Sequence, residues 1–305
     1  MIDRGFRALT WFAATLVLVI LGLILVTMGH ESWPVFRQEG LAFVFSDNWV
    51  PQTGNFGAAA FVWGTLLVSL IGVVIAVPLS MGLALFATEV APRGVRRPIT
   101  YVIDLLAVIP SVVYGLWGLL VFAPAVLPFY TSVSEAVDGI PILQTLFSGD
   151  PVAGRNYMTG GIILAIMITP IITSITREVF ATTPVVLKEA SLAMGATRWE
   201  MIRASVLPHS RSGVLSAVMI GLGRAMGETI ALALVIGSVP QLGVQLLGPG
   251  DSMASVIANN FGEAQGMYRS ALIGLGVVLF FLTMAIGIVA RSIMGRTERR
   301  MGLAR

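Results

Sequence analysis

The sequence predicts an all-α, polytopic membrane protein that crosses the bilayer six times. Three observations carry this. Hydrophobic residues make up 56% of the 305 and charged residues only 11%. Soluble domains carry about 25% charged residues, so this chain has too few to coat a water-facing surface. The apolar residues gather into runs of the length, about 20 residues, that crosses a hydrocarbon core. Finally, the basic residues cluster at the ends of those runs.

The runs lie near Leu9–Met28, Ala58–Val77, Ile99–Phe122, Gly160–Thr176, Gly213–Ile236 and Ala271–Ala290. Arg4 and Arg7 precede the first, as in a signal peptide. The run is too long for one, and HESWPVF after it offers no small-residue cleavage site, so it reads as an uncleaved membrane helix. The second continues past Pro78 to Ala87, and a proline there predicts a kink or break. The fourth is short and contains Pro170. Outer loops are expected near 29–57, 123–159 and 237–270, each rich in Gly, Pro, Ser and acids. The chain divides into 1–57 (first helix and first outer loop), a five-span body over 58–291, and a basic cytoplasmic tail over 292–305.

Orientation follows from the basic residues, which favour the cytoplasmic side. With the N-terminus cytoplasmic, 15 of the 19 Lys and Arg fall on that side. Arg37, Arg155 and Arg269 fall on the other, and Arg224 alone lies within a span. Both termini are thus expected in the cytoplasm.

Several function classes drop out. There is no cysteine, which removes disulfides, thiolate metal sites and Cys nucleophiles together. His30 and His209, the two histidines, lie far apart, so no metal site is expected, and no cofactor. The pI of 9.7 reflects basic residues at span ends and points to membrane orientation, not to nucleic acid. No HExxH, no GxSxG and no pair of aspartates in facing spans suggests an intramembrane enzyme. The only lysine, Lys188, stands between Leu187 and Glu189, so no phosphate-cradling Gly-Lys-Ser/Thr loop exists. Any ATP hydrolysis must come from a partner.

The long inner loop, 177–212, reads REVFATTPVVLKEASLAMGATRWEMIRASVLPHSRS. Pro184 suits the first turn of a helix. VVLKEASLAM predicts one helix, Gly195 breaks it, and ATRWEMIRASVL predicts a second, ended by Pro208. Two short amphipathic helices at a sharp angle make a knob that a partner could grip; an ordinary surface loop is the other reading.

Residues 221–237, GLGRAMGETIALALVIG, place Arg224 and Glu228 inside an otherwise apolar span. A central Arg costs roughly 3 kcal/mol on insertion scales. Glu228 is expected one turn further along the same helix face, where the pair would partly neutralise itself. An ion pair that only holds the bundle together is one reading. Apolar packing does that at least as well, and a polar path for a solute is the default for intramembrane charges. The Arg fork suits oxyanions. A neighbouring carboxylate repels a fully deprotonated anion but accepts a hydrogen bond from one that keeps a proton, as phosphate does near neutral pH and sulfate does not.

Other candidates for a polar seam are Asp104, Ser111, Tyr114, Thr169 and Thr173. Asp104 could instead reach the cytoplasmic edge or pair with Arg97. Ser111 could satisfy the carbonyl that Pro110 frees. Thr169, Thr173 and Thr176 share a face at i, i+4, i+7, a pattern that serves helix–helix contact as well as a solute.

The 177–212 loop resembles the EAA loop of ABC importer permeases: EAA, three residues, Gly, nine residues, Ile, one residue, Leu-Pro. Glu189, Ala190, Gly195, Leu207 and Pro208 match it, while Ser191 replaces the second Ala and Ser205 the Ile. The resemblance implies that 185–200 is a coupling helix seated on an ATP-hydrolysing subunit. IDLLAVIPSVVYGLWGLLVFAP (103–124) and GLGRAMGET (221–229) resemble signatures of the Pst-type phosphate permeases, most closely their C-type membrane subunits. The match covers most of 58–291. It implies a type-I ABC importer core of five spans behind one extra N-terminal helix, in the bacterial inner membrane. It also implies a sister permease forming a heterodimer, two ATP-binding subunits and an external phosphate-binding protein, with Arg224 and Glu228 lining the path. Permeases for molybdate, sulfate or a phosphonate are the nearest rivals. An ion-coupled secondary carrier is a more distant one, since it would not need the EAA loop.

Overall fold

A computed structural model describes the backbone of residues 2–149 and 152–300, with side chains except at 2–4, 93, 152 and 293–300. Regular structure among these residues is helical, apart from isolated bridges at Val50–Asn55 and Gly237–Gly250. The main helices are α1 (Ile2–Glu39), α2 (Ala59–Leu85), α3 (Arg93–Val108), α4 (Ser111–Ala136), α5 (Tyr157–Ala181), α6 (Val185–Ala193), α7 (Leu207–Met226), α8 (Ile230–Val235), α9 (Met253–Asn260) and α10 (Gly266–Arg300). A π-turn, Phe86–Val90, prolongs α2.

Five described stretches are long and apolar enough to cross a membrane: Gly5–Glu39, Ala59–Val90, Ser111–Ala136, Tyr157–Ala181 and Gly266–Ser292. Two of the six expected spans differ from the sequence reading, each for a local reason. The third was expected over Ile99–Phe122, but the helix breaks at Ile109 and Pro110, both in extended conformation. Proline has no N–H to continue a helix and pushes the residue before it out of the helical region. Upstream, α3 is a separate amphipathic helix. Downstream, α4 runs to Ala136 and takes over the start of the outer loop expected at 123–159.

The fifth expected span, Gly213–Ile236, is two helices. α7 stops at Met226, and α8 starts at Ile230. Pro78 and Pro170, by contrast, break nothing: α2 and α5 run through them. Pro208 does not end a helix either. It follows the π-turn Ile202–Val206, and the helical chain that begins at Arg198 runs on through it into α7. The basic tail expected at 292–305 continues α10 as far as Arg300, and 301–305 lie outside the described residues.

α2 and α5 pack along most of their length, with α7 across both. Val68, Ala76, Leu164, Ile168, Ile172 and Ala217 form the centre of this core. Glycine makes the approach close: a Cβ on Gly72 would lie 3.2 Å from Leu164 Cγ. A second cluster, around Phe43, Phe61, Met253, Leu272 and Leu275, joins α10 to the chain after α1. A third, of Ala84, Phe180, Ile202 and Val206, sits where the 177–212 loop meets the bundle. No residue in the most apolar window of α1 is buried, which suits a lipid-facing helix.

Candidate functional site

The GRAMGET stretch is a helix break. In α7, Gly227 N–H still reaches Gly223 O at 3.3 Å and Glu228 N–H reaches Ala225 O at 3.3 Å, which ends the helical bonding. Thr229 leaves the helical pattern, its hydroxyl donating to Gly227 O at 3.1 Å, and α8 restarts. Arg224 occupies the last turn of α7 and is exposed. Glu228 is turned inward, 7% exposed, and its Oε1 accepts the Ala231 N–H of α8 at 3.3 Å.

The two charges therefore do not share a helix face, and no ion pair joins them among the described residues. Each sits instead at a helix end of complementary polarity, a cation at a C-terminus and an anion at an N-terminus. Non-helical backbone within a membrane protein is tolerated where protein buries it or it lines an aqueous path.

α8 packs against the first turns of α4. A Cβ on Gly115 would lie 2.8 Å from Ala231 Cα, so Gly115 sets how closely the two helices meet. Tyr114 is buried there, and its hydroxyl donates to Leu106 O at 3.0 Å. Leu106 is four residues before Pro110, so this is the carbonyl that Pro110 cannot serve. Tyr114, not Ser111, satisfies it. Ser111 starts α4 and is half-buried.

Asp104 pairs with Arg177, 3.9 Å away, and not with Arg97. It also accepts from Ser174 Oγ at 3.5 Å, so it fastens α3 to α5. The Thr hydroxyls turn onto their own helix: Thr169 donates to Ala165 O and Thr173 to Thr169 O, both at 2.7 Å. Ser80 of α2 also donates to Thr169 O, at 3.1 Å. These groups knit the α2–α5 seam. The structure thus brings Glu228, Ser111 and Tyr114 onto two packed helices, places Asp104, Thr169 and Thr173 around α5, and leaves Arg224 apart from both groups.

At the loop end, α6 carries Glu189 and Ala190, both exposed. Gly195 follows with φ +86°, a backbone state glycine enters readily. Thr197 and Glu200 form a capping box that starts the next turn. Glu200 is held below the usual carboxylate range by the Thr197 N–H and then its hydroxyl. Leu207 packs on the Ala84–Phe180 cluster, and Pro208 follows it in the same turn. Val186, Met194 and Trp199 leave an apolar face in the open.

Two relationships here were not readable in sequence. Ser191 and Ser205, the two departures from the EAA pattern, meet: their hydroxyls lie 2.7 Å apart. Lys188 Nζ lies 2.5 Å from Glu89 Oε1 at the end of α2. The partners are 14 and 99 residues apart, beyond any local pattern.

Comparison with known proteins places this geometry. The family described as binding-protein-dependent transport system inner membrane component matches residues 76–303. A phosphate transport system permease protein PstC of Mesorhizobium japonicum is 45% identical, over 98% of this chain and 92% of that protein. One from Xylella fastidiosa is 43% identical, over 98% and 93%. Among solved structures, a chain of a bacterial ABC transporter that imports alginate superposes with a TM-score of 0.58 at 18% identity, covering 94% of this chain and 96% of that one. A chain of the inward-facing MetNI methionine ABC transporter gives 0.56 at 16%, over 78% and 94%. At those identities the likeness is one of fold. With most of its length matched, the chain belongs to the family of binding-protein-dependent transport system inner membrane components.

Proposed function

We propose that this chain is a membrane-spanning subunit of an ATP-driven importer of inorganic phosphate. It forms part of the path and does no covalent chemistry. The observation that carries the reading is the near full-length similarity to relatives called phosphate transport system permease proteins. The helix break at 227–229 supports it, because it leaves an exposed guanidinium at one helix end and a buried carboxylate at the start of the next. In this reading Arg224 gives phosphate transient electrostatic stabilisation. Glu228 accepts a hydrogen bond from the protonated anion and disfavours sulfate.

Residues 58–291 act as the transport core. The exposed knob around α6 docks an ATP-binding subunit through 185–200, with a second ATP-binding subunit serving a sister permease. An external phosphate-binding protein delivers the solute, and the excess of basic residues puts both termini in the cytoplasm of a bacterium.

The test is labelled phosphate uptake in cells without other phosphate importers, with excess sulfate as competitor. The chain is expressed with its partner subunits as wild type and as Arg224→Ala, at matched abundance. Uptake that survives sulfate in wild type and disappears in the variant, with assembly intact, is the expected result. Normal uptake by Arg224→Ala would remove that residue from the path. No uptake by wild type would remove phosphate as the solute.

A further inference from the structure

The knob around α6 is fastened to the bundle by few polar bonds, and one stands out. Lys188 is the only lysine in the chain, yet its side chain is 19% exposed and that of its partner Glu89 10%. An ammonium is strongly hydrated, and shielding one from water is stable only with a charged partner in good geometry. Exposed pairs contribute little; this pair is largely shielded and short. Glu89 lies in the π-turn Phe86–Val90, where Thr88 also turns its hydroxyl back onto Ala84 O at 2.9 Å. Single π-turns inside helices recur at working positions.

The connectivity of the pair matters more than its strength. α6 is flanked by Thr182–Pro184 on one side and by Gly195 on the other, so its covalent connections are loops. Among the described residues its inner face has two polar attachments. Ser205 joins it to the stem that leads into α7, through Ser191 at 2.7 Å and Leu187 O at 3.3 Å. Lys188 joins it to the end of α2, which packs along α5 through the core of the bundle. The outer face, with Val186 and Met194, is open. Among the described residues, the Lys188–Glu89 pair is the polar link from α6 to the end of α2.

We propose that the Lys188–Glu89 ion pair is the strut that carries displacement of α6 into α2, which makes both of them positioning residues of the transport cycle. The inference rests on the reading that α6 docks an ATP-binding subunit. Neutralising either end leaves the knob free to move without moving the bundle.

The experiment uses the assembled complex with its ATP-binding subunits, in proteoliposomes. The chain has no cysteine, so Val90→Cys and Leu192→Cys, both exposed and the second away from the Val186–Met194 face, take spin labels without other changes to this chain. Their separation is measured by EPR without nucleotide and with ATP trapped. Phosphate uptake and ATP hydrolysis are measured in parallel. The backgrounds are wild type, Glu89→Gln, Lys188→Met and the reversed pair Glu89→Lys with Lys188→Glu.

With the strut intact, the label separation stays the same in both nucleotide states. Each single variant broadens it, keeps its ATP hydrolysis, and lowers phosphate moved per ATP by roughly fivefold or more, the low end of usual coupling free energies. The reversed pair restores both readouts. A separation that changes with ATP in wild type, singles that behave as wild type, or a reversed pair that restores nothing would each overturn the strut. A wild-type complex that moves no phosphate would overturn the solute assignment instead, and the label separations would still decide the strut.

Discussion

The Tyr114 hydroxyl donates to the Leu106 carbonyl at 3.0 Å, across the break that Pro110 makes between α3 and α4. The bond closes the one helical carbonyl that this proline leaves without a donor. Tyr114→Phe keeps the ring and removes the donor. It should destabilise the protein by about 1 kcal/mol, the usual worth of such a bond in water or membrane. Thermal unfolding in detergent reads this, and Ser111→Ala, which makes no such bond, should lie within error of wild type.

Glu228 has two separable properties, an oxygen that caps α8 and a charge. Glu228→Gln keeps an oxygen for the Ala231 N–H and loses the charge; Glu228→Ala loses both. If the charge serves discrimination among oxyanions, Glu228→Gln should fold as wild type while sulfate competes better against phosphate uptake. Glu228→Ala should in addition lower the melting temperature, since losing a cap costs about 1 kcal/mol. Equal melting temperatures for the two would show that the cap contributes nothing.

Ser191 and Ser205 should behave as a unit. Ser191→Ala leaves Ser205 with the Leu187 carbonyl as its remaining partner. The change Ser191→Ala with Ser205→Ile, which restores the EAA pattern, replaces two hydroxyls by apolar groups together. Removing both partners of a bond is commonly near neutral, whereas Ser191→Ala alone forfeits the hydroxyl–hydroxyl bond, worth about 1 kcal/mol, and leaves Ser205 half-satisfied. The double variant should therefore assemble with its ATP-binding subunits better than Ser191→Ala does. Pull-down yield of the complex decides, and a double variant weaker than the single would refute the pairing.

Asp251 is buried in the segment between α8 and α9, where its carboxylate accepts the Ser252 N–H at 2.8 Å and the Ser255 hydroxyl. Burial pushes its pKa up from 3.8 to about 6, against the lowering effect of those two donors. With a folded-state value above the unfolded one, the folded protein binds the extra proton between pH about 4 and about 6. The contribution of Asp251 to stability thus rises as pH falls through 6 and levels off near 4. Asp251→Asn should flatten that part of the profile, measured as melting temperature against pH. An unchanged slope would mean that other groups set it.

Gly64 lies against the backbone of Asp251, with the Asp251 carbonyl oxygen where a Cβ would stand. Because the obstacle is main chain, it cannot swing aside. Gly64→Ala should destabilise by about 1–3 kcal/mol, the range for overpacking. Gly82→Ala, on the same helix but facing open space, is the control and should be neutral or slightly stabilising.

Much of this architecture is written in local pattern. Apolar runs located four of the membrane helices, and Gly195 marked the turn after α6. What escaped were competitions between signals. The apolar stretch Gly213–Ile236 is long enough to span, and only the polar step Gly227-Glu228-Thr229 inside it betrays the break. Pro78, Pro110 and Pro170 look alike in sequence. α2 and α5, packed together, stay helical through Pro78 and Pro170, whereas the chain leaves the helix at Ile109 and Pro110. Among the candidate site residues, Arg224 and Glu228 were visible as charges in an apolar run. Their separation onto two helix ends was not, since it depends on the backbone at Gly227, which ends α7. Asp104 with Arg177, and Lys188 with Glu89, join residues far apart in the chain, which no periodicity reveals.

The solitary lysine has a chemical consequence. Apart from the chain's own N-terminus, Lys188 offers the only primary amine in the sequence. A mild acylating reagent followed by mass spectrometry would therefore report on a single bond. Slow modification records an ammonium clasped by Glu89, and fast modification records one released. The rate at that one nitrogen becomes a clock hand for how firmly α6 is held, readable in intact membranes without any engineered probe.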